Sequence, residues 1–132
     1  MLAVDDDPDN LELIHHQLSF LLDCCVVSAL EGRRALSLAK SLHPDLVLLD
    51  IWMPGMDGLQ VVRELKQDPQ TRAIPVIAVT AAVTLHDRRI ALQAGCVDYI
   101  HKPYELETLE KTIFRFLKAP SPVQDREVFG GA

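Results

Sequence analysis

The sequence predicts an α/β fold in which a parallel sheet is covered by helices on both faces. Two observations support this prediction. Short apolar, β-branched runs alternate with amphipathic helical patterns five times along the 132 residues, which is typical of strand–helix units that build a parallel sheet. Polar residues suited to chemistry also follow several of the apolar runs directly, as expected at strand ends beside a ligand-binding crevice.

The first unit combines a strand over residues 1–4 with a helix over 8–22. Asp7 is suited to cap the helix, and Pro8 fits the first helical position, where its missing N–H is not needed. Apolar residues recur on one face of this helix, at Leu11, Ile14, Leu18 and Leu21. We interpret this stripe as core and not as a cofactor site.

The next three units follow the same pattern. Strands are predicted over 25–30, 45–50 and 75–80, and helices over 32–42, 58–67 and 84–94. Gly95 suits the position just after the fourth helix, because glycine readily adopts the positive φ that ends many helices.

The last unit combines a strand over 98–101 with a helix over 105–118. The helix again has one apolar face, formed by Leu106, Leu109, Ile113 and Phe116. The composition then changes, and we expect 1–118 to be the folded domain and 119–132 a linker or mobile tail. Because the first strand also has almost nothing before it, the tail suggests a piece excised from a longer chain.

Composition excludes several classes of protein. A net charge of −6 and a pI near 5.2 argue against direct binding to nucleic acid, which needs clustered Lys and Arg. No apolar run is long enough for membrane insertion, and the first residues lead straight into three acids, unlike a signal peptide, so a cytoplasmic location is expected. Cys24, Cys25 and Cys96 fit neither a disulfide framework nor a zinc site, and we interpret them as buried small side chains.

Four predicted strand ends carry polar residues. Asp50 follows the apolar run 46–49, Asp5 and Asp6 follow the first strand, Thr80 ends the fourth, and Lys102 follows the fifth. In a parallel sheet these side chains would meet at one edge.

This set of residues favours phosphoryl chemistry. Asp5, Asp6 and Asp50 would form an all-oxygen cluster whose like charges require a cation, and such ligands prefer Mg²⁺, with Mn²⁺ as an alternative. Asp50 is then a candidate nucleophile, because carboxylates can form aspartyl-phosphates. Lys102 and Thr80 could bind phosphoryl oxygens. Each residue alone has an ordinary structural explanation, such as capping a helix or ending a strand. Because all of them lie at strand ends, a functional explanation is stronger for the set than for any single residue.

Four motifs in residues 2–117 resemble the receiver domain of two-component response regulators, of the chemotaxis-regulator type. They are 4–8 (VDDDP), 49–58 (LDIWMPGMDG), 79–81 (VTA) and 95–103 (GCVDYIHKP). The resemblance implies a flavodoxin-like, three-layer α/β/α sandwich with a doubly wound five-stranded sheet in the order 2-1-3-4-5. It also implies a cis bond between Lys102 and Pro103.

The resemblance assigns roles to individual residues. Asp50 would be the phosphoacceptor, Asp6 the direct Mg²⁺ ligand and Asp5 a second or water-mediated ligand, with a further ligand from the backbone carbonyl of Trp52. Thr80 and Lys102 would bind the phosphoryl oxygens, and Tyr99 would move inward as Thr80 is drawn to the phosphate.

The implied function is acceptance of a phosphoryl group from a sensor histidine kinase or phosphotransfer protein, followed by a change in a protein-interaction surface. A homodimer through the fourth and fifth strand–helix units is possible for such a domain, and Arg88 and Arg89 lie near that surface. Turnover of an external substrate is not expected. Trp52 and Ala82 occupy positions linked in the family to the lifetime of the phosphate.

Two other functions stay open at this point. A magnesium-dependent phosphatase would use the same nucleophile, but such enzymes typically need a second acid two residues later, where this chain has Trp52. A degenerate receiver acting only as an interaction module would have lost an acid, the acceptor or the lysine, and none is lost. His15 and His16 are interpreted as surface residues.

Overall fold

The computed structural model describes residues 1–21, 26–51, 58–81 and 84–117. Its strands are β1 Leu2–Val4, β2 Val27–Ala29, β3 Val47–Leu49, β4 Val76–Thr80 and β5 Asp98–His101. Its helices are α1 Pro8–Leu21, α2 Gly32–Leu42, α3 Gly58–Gln67, α4 Leu85–Ala94 and α5 Leu106–Phe116. The strands form one sheet in the order β2-β1-β3-β4-β5, so the predicted fold class and strand order are confirmed.

All neighbouring strands in this sheet are parallel. Leu2 of β1 is in register with Val27 on one side and Val47 on the other, and Ala78 of β4 is in register with Tyr99 of β5. Because the strands run in the same direction, their carboxyl ends lie at one edge of the sheet. The polar residues that follow the strands are therefore brought to that edge.

Alternate strand residues contribute to two separate cores. Leu2 and Val4 face a core shared with α2, α3 and α4, whereas Ala3 faces a core shared with α1 and α5. This alternation follows from the two-residue period of a β-strand. The same alternation continues in β4, where Ala78 belongs to the first core and Val79 to the second. Apolar packing on both faces thus holds the sheet edge in place.

Helix termini agree with the local signals. The Asp7 side chain accepts a hydrogen bond from the Asp9 backbone N–H at 2.9 Å, just before Pro8 begins α1. Thr84 and Asp87 form a reciprocal capping box at the start of α4. Gly95 follows the helix with a φ of 125°, which glycine adopts without a steric penalty.

Several predicted boundaries were wrong by one or two residues. Thr84 and Glu105 are caps with extended backbone and so precede α4 and α5, and Leu117 follows α5 as its C-cap. Val26 lies outside β2, which begins at Val27. Leu106 was predicted to be core but is 39% exposed, because it lies in the first turn of α5, ahead of the buried Leu109.

The predictions for Cys24, Cys25, Lys118 and the tail 119–132 concern residues outside the described ranges. Cys96 is a buried free thiol, as expected. Within the described part of the chain, no helix combines the length and apolar character needed to cross a membrane.

Candidate functional site

Three acids meet at the carboxyl edge of the sheet. Asp5 and Asp6 follow β1, and Asp50 follows β3. Each offers a carboxylate oxygen, and these oxygens all lie within 4.8 Å of one another. Asp5 and Asp50 are buried, while Asp6 is exposed. The predicted acidic cluster is therefore present in this structure.

The backbone around Asp50 is held by contacts with its neighbours. The Asp50 N–H donates to the carbonyl of Val4 at 2.9 Å, which extends the pairing of β1 and β3 by one residue. After Asp50, the Gly58 N–H donates to the Ile51 carbonyl at 2.8 Å. A Cβ at Gly58 would lie 2.5 Å from Ile51 Cα and 2.6 Å from the Asp50 carbonyl oxygen. Only glycine fits this close approach between the start of α3 and the end of β3.

Lys102 reaches the acids from the end of β5. Its Nζ donates to Asp5 Oδ2 at 2.9 Å and to Asp50 Oδ2 at 3.3 Å. Its backbone N–H donates to the carbonyl of Thr80 at 2.9 Å, and the Lys102–Pro103 bond is cis, as expected. The ammonium thus lies between two carboxylates and contacts both.

Electrostatics in the cluster favour the charged forms of Lys102 and Asp5. Burial raises the pKa of Asp5, but the hydrogen bonds from Lys102 and from the Asp7 backbone outweigh it, so the pKa of the carboxyl is lowered overall. Burial lowers the pKa of Lys102, but its hydrogen bond to Asp5 and the charge of Asp50 outweigh burial and raise the pKa. At neutral pH this pair is an ammonium and a carboxylate.

Asp5 is held by more donors than the sequence predicted. Its Oδ1 accepts from the Asp7 backbone N–H at 3.0 Å, and its Oδ2 accepts from Asn10 Nδ2 at 3.4 Å as well as from Lys102. Asn10 was not among the predicted site residues. The available signal was its place in the first turns of α1, one residue before the core position Leu11.

The residues fit a hard divalent cation. Three carboxylates within a few ångströms repel one another unless a cation neutralises them, and oxygen donors of this kind suit Mg²⁺. Both Asp5 oxygens already accept hydrogen bonds within the protein, which leaves the exposed Asp6 better placed than Asp5 for direct coordination. Trp52, whose carbonyl was expected as a further ligand, lies outside the described residues.

Thr80 and Tyr99 lie on adjacent strands. Thr80 is 1% exposed at the end of β4 and is in register with His101. Tyr99 lies two residues earlier on β5, where it is partly buried against the core shared with α2, α3 and α4. Burial raises the pKa of the Tyr99 hydroxyl, so the phenol stays neutral at physiological pH.

A cleft of about 340 Å³ adjoins Lys102 on the side of α1. It is lined by Asn10, Leu13, Gln17 and Tyr104, among others. Gln17 Oε1 is buried and has no hydrogen-bond partner in the described part of the molecule. The cleft extends the acidic site along the helix.

Comparisons with known proteins indicate one family. The family model for the response regulator receiver domain matches residues 1–114. Response regulator PleD from Caulobacter vibrioides is 38% identical over 133 residues, covering 98% of this chain and 29% of PleD. Protein PilH from Pseudomonas aeruginosa is 40% identical over 116 residues, covering 86% of this chain and 93% of PilH. The chain therefore spans less than a third of PleD but nearly all of PilH.

Solved structures show the same architecture. The chemotaxis protein CheY4 of Vibrio cholerae has a TM-score of 0.82 and 29% identity, covering 88% of this chain and 96% of CheY4. The receiver domain of the sensor histidine kinase PA1611 from Pseudomonas aeruginosa PAO1 has a TM-score of 0.81 and 33% identity, covering 88% of this chain and 94% of that domain. That neighbour has a magnesium ion coordinated in its active-site cleft.

Proposed function

Because the chain belongs to the response regulator receiver domain family, we propose that Asp50 accepts a phosphoryl group from a histidine kinase or phosphotransfer protein in a magnesium-dependent reaction. Receiver domains act in two-component phosphorelays and are not turnover enzymes on external substrates. The observation that carries the proposal is the position of Lys102, whose ammonium contacts both Asp5 and Asp50. It provides positive charge beside the carboxylate that would receive the phosphoryl group.

The proposed reaction is an in-line displacement at phosphorus. An Asp50 carboxylate oxygen forms a bond to the phosphorus of a phosphohistidine, the P–N bond breaks, and the departing imidazole nitrogen takes up a proton. The product is an acyl phosphate on Asp50. Lys102 would pair with one phosphoryl oxygen, and the Thr80 hydroxyl would donate to another.

Receiver domains bind Mg²⁺ in the active site, and the acids here supply suitable ligands. Asp6 and Asp50 would hold the cation directly, and Asp5 would act through a bound water or as a further ligand. The bound cation would neutralise charge on the acids and on the phosphoryl oxygens. The carbonyl of Trp52 stays a predicted ligand, and Mn²⁺ a predicted substitute.

Signalling would follow from a two-state element between the acceptor and the surface of α4 and β5. A new phosphoryl group would draw Thr80 toward Asp50, and Tyr99 would move inward. One output would be a homodimer through the fourth and fifth strand–helix units, β4–α4 and β5–α5. We also propose a cytoplasmic location, and a linker or mobile tail over 119–132.

Intact-mass analysis with a small phosphodonor and Mg²⁺ tests the proposal. The wild type should gain one phosphate, and Asp50→Asn should gain none. Asp45→Asn is a matched control, because Asp45 precedes the same strand at its opposite end and should not affect labelling. Equal labelling of Asp50→Asn and the wild type would show that another residue accepts the phosphate.

A further inference from the structure

We propose that Asn10 is a positioning residue that keeps the Asp5 carboxylate in place when Lys102 turns from Asp5 toward a phosphoryl group on Asp50. The inference rests on the proposed function and adds a residue to it. Asp5 Oδ2 accepts from two side chains, Lys102 at 2.9 Å and Asn10 at 3.4 Å. Only Lys102 is expected to leave during the reaction.

Lys102 cannot keep its resting contacts unchanged. Its Nζ is 2.9 Å from Asp5 Oδ2 and 3.3 Å from Asp50 Oδ2. Phosphorylation adds negative charge on the Asp50 side and so draws the ammonium that way. The flexible lysine stem permits this movement. Asp5 Oδ2 then loses the closer of its two side-chain donors.

Asp5 needs a replacement for that contact. The residue is 2% exposed, so bulk water cannot readily solvate the freed oxygen, and a buried acceptor without a donor is costly. The Asp7 backbone N–H bonds to the other oxygen, Oδ1. It fixes one end of the carboxylate, and in the described part of the chain Lys102 and Asn10 are the side chains that donate to Oδ2.

Asn10 has the properties that this role requires. It lies on α1, whose packing onto the sheet through Leu11 and Ile14 does not involve Lys102. Its amide is neutral, so it holds Asp5 without competing electrostatically with a cation. The 3.4 Å contact is at the long end for an N–H···O bond, which leaves room for the carboxylate to move toward Asn10 as Lys102 withdraws.

Two magnesium measurements separate this role from simple structural support. Calorimetry gives the Mg²⁺ affinity of the resting protein, and ¹⁹F NMR gives the Mg²⁺ concentration that half-saturates binding of beryllofluoride, a phosphoryl analogue. The variants are Asn10→Ala and the similarly sized Asn10→Leu. Gln17→Ala is the matched control, because Gln17 lines the same cleft from the same helix but makes no hydrogen bond to Asp5.

We expect both Asn10 variants to raise the half-saturating Mg²⁺ concentration for beryllofluoride about tenfold, as for the loss of one hydrogen bond to a charged group. Their resting Mg²⁺ affinity should change less than about threefold, since Lys102 still holds Asp5. Gln17→Ala should change neither value. Equal changes in the two states, or no change with beryllofluoride, would overturn the role of Asn10.

A Lys102→Met background provides the second test. With Lys102 absent, Asp5 already depends on Asn10, so Asn10→Ala should now weaken resting Mg²⁺ binding by about tenfold. Additive effects of the two substitutions would contradict the proposal. A wild-type protein that does not bind beryllofluoride, or an Asp50→Asn protein that binds it equally well, would instead overturn the proposed function.

Discussion

Lys102 and Asp5 are 97 residues apart in the chain, and the Lys102 ammonium donates to Asp5 Oδ2 at 2.9 Å. Both side chains are largely buried, at 21% and 3% exposure. The contact joins the ends of β1 and β5, which are not neighbours in the sheet. It therefore links an interior strand, β1, to an edge strand, β5, across the site.

Replacing Lys102 with Met should destabilise the metal-free protein by about 1–3 kcal/mol at pH 7, because Asp5 loses a charged partner and the acids lose a neutralising charge. The pKa of Asp5 is lowered in the folded state, so its contribution is present above the unfolded pKa and is lost as pH falls through the folded value. The pKa of Lys102 is raised, so its contribution is present below the unfolded pKa and is lost as pH rises through the folded value.

Thermal unfolding measured from acid to alkaline pH should therefore show the largest difference between wild type and Lys102→Met at intermediate pH. Lys111→Met is the control, because Lys111 pairs with Glu107 on the exposed surface of α5 and should change stability little. A difference that is constant across the whole pH range would contradict the ion-pair explanation.

Asp6 should dominate magnesium binding, because both Asp5 oxygens are already hydrogen-bonded within the protein. Asp6→Asn should also stabilise the metal-free protein slightly, since it removes one of three clustered like charges. Magnesium should raise the melting temperature of the wild type but hardly that of Asp6→Asn. Asp7→Asn, which preserves a helix cap, should behave as the wild type does. Stronger loss of binding in Asp5→Asn than in Asp6→Asn would reverse the assignment.

Gly58→Ala should destabilise the fold although alanine favours helices. The added Cβ would lie 2.5 Å from Ile51 Cα, and overpacking against backbone costs about 1–3 kcal/mol, more than the roughly 1 kcal/mol gained in helix propensity. Denaturant unfolding measures the difference, with Arg63→Ala on the exposed face of α3 as the control. An increase in stability would show that the segment after Asp50 can shift freely.

Cys96 should resist alkylation in the folded protein. Burial raises the pKa of its thiol from 9.0 to about 12, so almost no thiolate is present at pH 8. In a Cys24→Ser, Cys25→Ser background, labelling followed by mass analysis should occur only after denaturation. The unfolded thiol ionises first, so this group makes folding less favourable as pH rises from 9.0 toward about 12. Rapid labelling of the native protein would show that Cys96 is accessible.

The sequence predicted the parts of the molecule that depend on local pattern. The strand ends at Asp5, Asp50 and Thr80 could be located because apolar runs stop there, and parallel strands bring such ends together. Contacts set by tertiary packing could not be predicted. The Asn10–Asp5 hydrogen bond depends on how α1 lies against the sheet.

The close approach of Gly58 to Ile51 likewise depends on where the chain returns after Asp50. A glycine at a helix start has several ordinary explanations, and the sequence alone does not distinguish among them.

Thr80→Ala should separate phosphate acceptance from its transmission to α4 and β5. The Thr80 carbonyl that receives the Lys102 N–H belongs to the backbone, so the substitution keeps the strand contact and removes only the hydroxyl and methyl group. Phosphorylation of Asp50 should persist. The coupling free energy between phosphorylation of Asp50 and the surface of α4 and β5 should fall by about 1 kcal/mol. Phosphorylation would then shift the equilibrium between the two states of that surface roughly fivefold less than in the wild type.

Hydrogen exchange of α4 and β5, measured with and without beryllofluoride, reports this coupling. Thr112→Ala is the matched control, because Thr112 is also a buried threonine, and its hydroxyl donates within α5 to the Thr108 carbonyl at 2.9 Å. The Thr112→Ala protein should be less stable than the wild type, but beryllofluoride should change its hydrogen exchange in α4 and β5 as much as in the wild type. The same response in wild type and Thr80→Ala would mean that the Thr80 hydroxyl does not carry the signal, and the two-state element would have to begin elsewhere at the carboxyl edge of the sheet.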